Sequence, residues 1–431
     1  MDNTSLSRSR SRTNTLFYVF LQALLAFLLI YVAIDIFLPY IGNNYFTLPF
    51  SAILIMIAAI AYAKSRFLDL KNIRFVSLVA IWLAWFYMCL SFGGKSYDSY
   101  QDMIVAIAVT LVCAYFIIDG LSTRATCLLF VVFGISVFVT FAISMPEIEA
   151  NSGLVREMAA GINKEGAKLG VGGYDFIYSL AFVFPALFLL QKAVKGLAKL
   201  VIWALLIVTA IYSFYCGLIT TLLVVISSVA LYLVIRIKRK AFRYLLMFIL
   251  ITTLLIIMLL GDSFFMEILK DLSEAIDSET IENKINDIIL SISGQDEVHG
   301  TISGRVDRYS AAFTTFARSP IFGGFLFDNY KTSGGHSTML DYMAISGIIG
   351  FGLFMAIMIS IYKKTSAKLN NKLSRYVLWE AFVIFLVTGF LKAVNYASIM
   401  WTVAVFVPLV IVWADSLLTK RKGYVDEGSA N

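Results

Sequence analysis

Charge is what this chain has least of. Asp, Glu, Lys and Arg make up 15% of its 431 residues and hydrophobic residues 60%, against about a quarter and just under half in ordinary soluble domains. With a mean hydropathy of +0.83, there are too few polar side chains to clothe a water-soluble body of this size, so a soluble globular class is excluded. Strict alternation of apolar and polar residues is also missing, which argues against a water-filled β-barrel. The four cysteines, Cys89, Cys113, Cys127 and Cys216, fall in or beside apolar runs. They lack metal-ligand spacing and read as small core residues. No DxD-like pair marks an outer metal site, since Asp262 and Asp296-Glu297 stand isolated. A cleavable signal peptide is not expected, because the first apolar run is too long and others follow it.

What the chain does contain is a series of apolar runs of about 18–25 residues, the length that crosses a bilayer as a helix. They predict spans at 16–39, 46–63, 75–92, 103–119, 126–145, 176–190, 200–215, 218–235, 244–260, 339–361, 376–392 and 398–418. The expected fold is therefore an all-α polytopic membrane protein of about twelve transmembrane helices. Dividing 201–235 into two spans rests on its length and on the polar Ser213–Gly217 stretch at its middle. The expected organisation is a basic tail (1–15), nine spans within 16–260 with an outer loop at 146–175, a large outer loop (261–337), three spans within 338–418 and a second tail (419–431).

Basic residues set the orientation. With the N-terminus inside, the inner segments hold about 24 of the 35 Lys and Arg, the positive-inside pattern. The net charge of +7 is then topological, and nucleic acid is not an expected partner. Against this background the basic residues of the outer loops stand out: Arg156, Lys164 and Lys168 in the first, Arg305 and Arg308 in the second. Within the second loop, 264–292 alternates apolar and acidic residues at helical spacing and predicts one or two helices lying over the bundle mouth.

The most informative stretch follows. Ser303 is placed to cap a helix running from about Arg305 to Arg318. Arg305 and Arg308, three apart, share a face of that helix, and arginine is the side chain suited to forked recognition of phosphate. Ser319-Pro320 ends the helix and Gly323-Gly324 turns the chain. His336, one of only two histidines, follows another glycine pair at the entrance to the tenth span. Taken alone it is equally a structural hydrogen-bonding residue; beside two arginines it becomes a general-base candidate. Lys392 and Asn395, at the outer end of the eleventh span, are further candidates, with a lysine snorkelling to the interface as the plainer alternative.

Gly304-Arg305, the helix ending Ser319-Pro320-Ile321-Phe322-Gly323, then His336-Ser337, Leu340-Asp341 and Ser346-Gly347-Ile348-Ile349-Gly350 together resemble the signature of the O-antigen polymerase and O-antigen ligase superfamily. The resemblance covers roughly 303–354; elsewhere it extends only to the number of spans and the position of the large loop between the ninth and tenth. It implies a GT-C-like helical core in the bacterial inner membrane, with both termini cytoplasmic and the active site facing the periplasm. The activity it implies is a metal-independent, inverting glycosyl transfer from an undecaprenyl-diphosphate-linked oligosaccharide to an acceptor hydroxyl, with no cofactor. Arg305 would take the conserved arginine role at the donor diphosphate and His336 the conserved histidine role at the acceptor hydroxyl. The bilayer and the lipid-linked glycan are the implied partners, with room for a chain-length regulator protein.

The chain departs from the family at one place. Many members, ligases especially, carry a Ser/Thr-Arg-Gly element at the outer end of the seventh or eighth span, whereas 213–221 here contains no arginine. Arg156 is the expected substitute, with Arg308, Lys168, Lys392 and Asn395 as further contacts to diphosphate or glycan. This departure, together with the Gly334–Asp341 sequence, favours a polysaccharide polymerase over a ligase acting on lipid A-core. A transporter of lipid-linked glycan is the alternative from a different class. No internal repeat supports it, and Asp35, Glu380 and Asp415 are expected near span ends.

Overall fold

The computed structural model describes residues 23–39, 70–92, 98–151, 153–159, 163, 165–235, 302–326 and 337–428, with isolated residues between 237 and 252. The expected span at 46–63, most of that at 244–260, the helices over 264–292 and His336 lie outside the described residues.

All regular structure among the described residues is helical, as the apolar runs require: a backbone in lipid must satisfy its own N–H and C=O groups. The helices are α1 (Ala23–Phe37), α2 (Leu70–Phe92), α3 (Asp98–Gly120), α4 (Thr123–Ala150), α5 (Leu154–Ala159), α6 (Glu165–Lys168), α7 (Tyr174–Ala193), α8 (Gly196–Tyr215), α9 (Ile219–Ile235), α10 (Ile302–Arg318), α11 (Thr338–Lys368) and α12 (Lys372–Leu391). The last membrane segment begins as α13 (Ala397–Trp401), passes through one π-helical stretch (Thr402–Phe406) and continues as α14 (Val407–Gly428). Seven of the described segments are long and apolar enough to cross a membrane, and the chain is a multi-pass membrane protein on that ground. Three shorter apolar helices, Ala23–Phe37, Met103–Asp119 and Thr220–Val234, coincide with further expected spans. The division of 201–235 is real: α8 and α9 are separated by a turn in which Gly217 takes φ 61°, a left-handed conformation that glycine enters without strain.

Burial sorts the helices into centre and rim. In α7 and in the last segment (Ala397–Lys420), 83% of the span is buried, against 33% in α2 and α8. Leu200, Trp203, Ile207 and Ile211 of α8 are exposed at helical spacing, the stripe expected of a lipid-facing helix. Around the centre, aromatic side chains interlock: Phe37 meets Phe133 edge-on at 4.7 Å, and Phe133 lies 4.8 Å from Phe406 of the π-helical stretch. Cys89, Cys113 and Cys216 are buried and Cys127 half-buried, all with free thiols, as small core residues should be.

The two ends of the bundle differ. At one end, Asp119 of α3 takes Lys364 and Lys368 of α11 at 2.6 Å each, and the same ammonium groups donate to the carbonyls of Tyr115 and Ile118. Buried Asp415 accepts the backbone N–H groups of Asn370 and Asn371, both at 2.9 Å, and so fastens the α11–α12 turn to the last helix.

Candidate functional site at the opposite end of the bundle

The opposite end is organised around residues 389–398, which span the end of α12, the non-helical connection 392–396 and the start of α13. Leu391 is the final residue of α12. Lys392 and Asn395 fall in the non-helical connection that follows, with Asn395 8% exposed.

Three elements converge on this connection. From α10, the Tyr309 hydroxyl donates to the Leu391 carbonyl at 2.6 Å. From the entrance of α11, the Ser337 hydroxyl donates to the Gly389 carbonyl at 3.2 Å, while also accepting the Leu340 N–H as the helix cap. The next residue closes a reciprocal pair: the Thr338 N–H donates to the Lys392 carbonyl at 3.2 Å, and the Val394 N–H donates to the Thr338 hydroxyl at 2.7 Å. From α7, Tyr174 lies 5.7 Å from the Tyr396 ring, and the Ser398 hydroxyl donates to the Asp175 carboxylate at 2.7 Å.

The arginine helix reaches this point by two attachments. It starts at Ile302, so Ser303 lies inside the helix rather than capping it. The end at Arg318, before Ser319-Pro320, is as expected. Arg305 stands one turn before Tyr309, and half-buried Arg308 is its immediate neighbour. Ala312, Thr315 and Ser319 continue the buried face. Beyond Ser319 the chain folds into a turn and a short 3-10 helix (Gly323–Leu326) that docks against α11.

The docking explains the Ser346–Gly350 half of the motif. Gly347 interrupts α11 with φ 62° and ψ −172°, a region essentially confined to glycine. The interruption frees backbone groups inside a membrane segment, and each free group named here finds a partner. The Ile348 N–H donates to the Pro320 carbonyl at 2.8 Å and the Ile349 N–H to that of Ile321 at 3.4 Å. The Trp85 indole of α2 donates to the Ser346 carbonyl at 2.9 Å. Gly323, with φ 59°, lies backbone to backbone against Gly347, so a Cβ on either would fall on the other segment's main chain. The Pro320–Gly323 and Ser346–Gly350 elements are thus two halves of one joint, and their role is to hold α10.

Arg156 lies in α5, and its Nη2 donates to the Gly217 carbonyl at 2.9 Å. A guanidinium from the 146–175 loop therefore reaches the very turn between α8 and α9 that lacks an arginine of its own. Below it, the Tyr212 hydroxyl donates to the Gly172 carbonyl at 2.7 Å, and the Gly172 N–H donates to Ser144 at 2.9 Å. These bonds fasten the loop end to α8 and α4. Lys168, at the end of α6, is exposed. Among the described residues no three His, Cys, Asp or Glu side chains stand close enough to hold a metal ion.

Of the expected residues, Lys392 and Asn395 lie in the connection itself, Arg308 is the neighbour of Tyr309, whose hydroxyl donates to the Leu391 carbonyl just before it, and the backbone of Arg305 is one turn earlier in α10. His336 precedes the Ser337-Thr338 pair that is tied into it. Sequence reasoning missed Trp85, Asp175, Tyr309 and Tyr396, whose roles depend on partners far along the chain. No protein-family model matches this chain, and no curated protein is similar to it.

Proposed function

We propose that this protein is a polysaccharide polymerase of the bacterial inner membrane, transferring a glycan from an undecaprenyl-diphosphate donor to the hydroxyl of an acceptor glycan on the periplasmic face of that membrane. The observation that carries this reading is the convergence on 389–398 of the arginine helix and the α11 entrance that follows His336. In this reading Arg305 and Arg308 receive the departing diphosphate, which needs its developing charge stabilised. His336 takes the proton of the acceptor hydroxyl as that oxygen attacks the anomeric carbon. The bond to the diphosphate breaks on the opposite sugar face, so the configuration inverts. Arg156, whose Nη2 donates to the Gly217 carbonyl, is the substitute in this reading for the arginine that O-antigen ligases carry at that place. Lys392 offers a further positive charge.

The test is direct. Purified protein supplied only with undecaprenyl-diphosphate repeat units should build a ladder of longer glycans without lipid A-core. Arg305→Lys should lose most of that activity despite keeping its charge, because an ammonium cannot offer the planar fork. A His336→Ala variant should slow by about 10²–10⁴-fold while still binding donor. Transfer seen only when lipid A-core is added would make the protein a ligase.

One observation favours the transport alternative. Glu380 is two turns inside α12, 4% exposed, and among the described residues neither carboxylate oxygen has a hydrogen-bond partner. The helix begins at Lys372, earlier than expected, so this residue is not near a span end. Ionisable groups within membrane helices mark transport paths. Flux of lipid-linked glycan in proteoliposomes, abolished by Glu380→Gln and indifferent to Arg305→Lys, would decide for transport.

A further inference from the structure

We infer that Tyr174, Asp175, Asn395 and Tyr396 form a subsite for one sugar ring of the acceptor glycan, an assignment that rests on the glycosyl-transfer reading above. Three tyrosine rings adjoin one another where α7 meets the connection after α12: Tyr178 lies 4.5 Å from Tyr174, which lies 5.7 Å from Tyr396. Tyr396 has 39% of its surface exposed. Next to Tyr174 in the chain stands Asp175, its carboxylate fixed by the Ser398 hydroxyl at 2.7 Å. A carboxylate has about four acceptor positions and Ser398 takes one. Asn395 adds an amide, with two donors and an acceptor, immediately before Tyr396.

This combination selects for carbohydrate. A pyranose presents an apolar face of C–H bonds, slightly positive, which suits the negative face of an aromatic ring. Its rim of hydroxyls suits a carboxylate and an amide. A diphosphate does not fit, because Asp175 repels it. An isoprenoid tail does not fit either, because it cannot satisfy the carboxylate or the amide. Charge thus divides the mouth of the bundle: arginines for the leaving group, and an acidic aromatic shelf for the sugar. The shelf belongs to the acceptor because it is built on the connection whose Lys392 and Val394 backbone groups hold Thr338, two residues after His336.

The probe is lipid-free oligosaccharide from partial hydrolysis of the surface polysaccharide of cells that carry this gene, added to the purified full-length protein in nanodiscs. Saturation-transfer NMR should show contact through the ring C–H protons. Tyr396→Ala and Asp175→Asn should each weaken binding by about tenfold. Tyr396→Trp should hold it within about twofold, since the larger ring keeps the stacking face. Thermal unfolding of each variant identifies any that fail to fold. Wild-type affinity in well-folded Tyr396→Ala would overturn the subsite and leave the tyrosines as an interfacial belt. No saccharide contact in wild-type protein that still binds undecaprenyl diphosphate would overturn it too. The two proposals separate cleanly. A ladder unaffected by Tyr396→Ala removes the subsite and leaves the polymerase, whereas Tyr396-dependent saccharide binding without any ladder keeps the subsite and removes the polymerase.

Discussion

Replacing Gly347 by alanine tests the joint that holds the arginine helix. At φ 62° and ψ −172° an alanine costs about 1–3 kcal/mol in backbone strain alone. Its Cβ would also fall on the Ile321 carbonyl group and lie 2.6 Å from the Gly323 nitrogen. These are main-chain atoms, so no side chain can swing aside; the Pro320–Gly323 turn must lift. Lifting it breaks the bonds from the Ile348 and Ile349 N–H groups, each worth about 1 kcal/mol. The total loss is roughly 3–5 kcal/mol, large beside the ~5–15 kcal/mol that holds a folded domain together. Gly352, one turn further along the same helix, is the matched control: a Cβ there meets nothing within 4 Å, and alanine should be neutral or stabilising by at most ~1 kcal/mol. Both variants are compared by thermal unfolding in detergent and by the rate of trypsin cleavage after Arg318. The expected result is a lower melting temperature and faster cleavage for Gly347→Ala only. If the two variants melt together and cleave alike, Gly347 is not a forced glycine and the joint as described is wrong.

Two further outcomes check the frame around it. Asp415→Ala should destabilise by about 2–5 kcal/mol, because the N–H groups of Asn370 and Asn371 lose their acceptor; thermal unfolding measures this, and an unchanged melting temperature would mean that the turn is held by something else. A topology reporter fused after Gly300 should be active outside the cytoplasm and one fused after Lys368 active inside; reversal of either would put the arginine helix on the wrong side for a periplasmic reaction.

The membrane-embedded part of the fold was largely legible because length and hydropathy are local properties, and a bilayer enforces them segment by segment. The break between α8 and α9 was readable from the polar Ser213–Gly217 stretch. What could not be read was which distant segments meet. Nothing local in Trp85 points to Ser346, and nothing local in Tyr309 points to Leu391. Arg156 stands out in the sequence by its unusual place in an expected outer loop, but its anchor at Gly217 is a tertiary contact between distant segments. Ser303 is the expected cap, yet the helix already starts at Ile302; a capping preference of only ~1 kcal/mol is too weak to fix a helix start from sequence. The glycines of the motif read as turn signals in the sequence; that Gly323 and Gly347 are opposed, backbone to backbone, is visible only in the structure.

The Trp85–Ser346 hydrogen bond also has a temporal meaning. Its partners are 261 residues apart in the chain, which at ordinary synthesis rates separates their emergence by roughly 13–52 s. During that interval α2 is already in the membrane and its indole waits for a carbonyl that has not been made. The same holds for Asp119, whose lysine partners arrive with α11. The early helices therefore remain a provisional assembly until α11 is threaded among them. The order of synthesis makes that helix the keystone, and a chain cut short before it leaves Trp85 and Asp119 without their partners in the lipid phase, where quality-control proteases have grounds to recognise it.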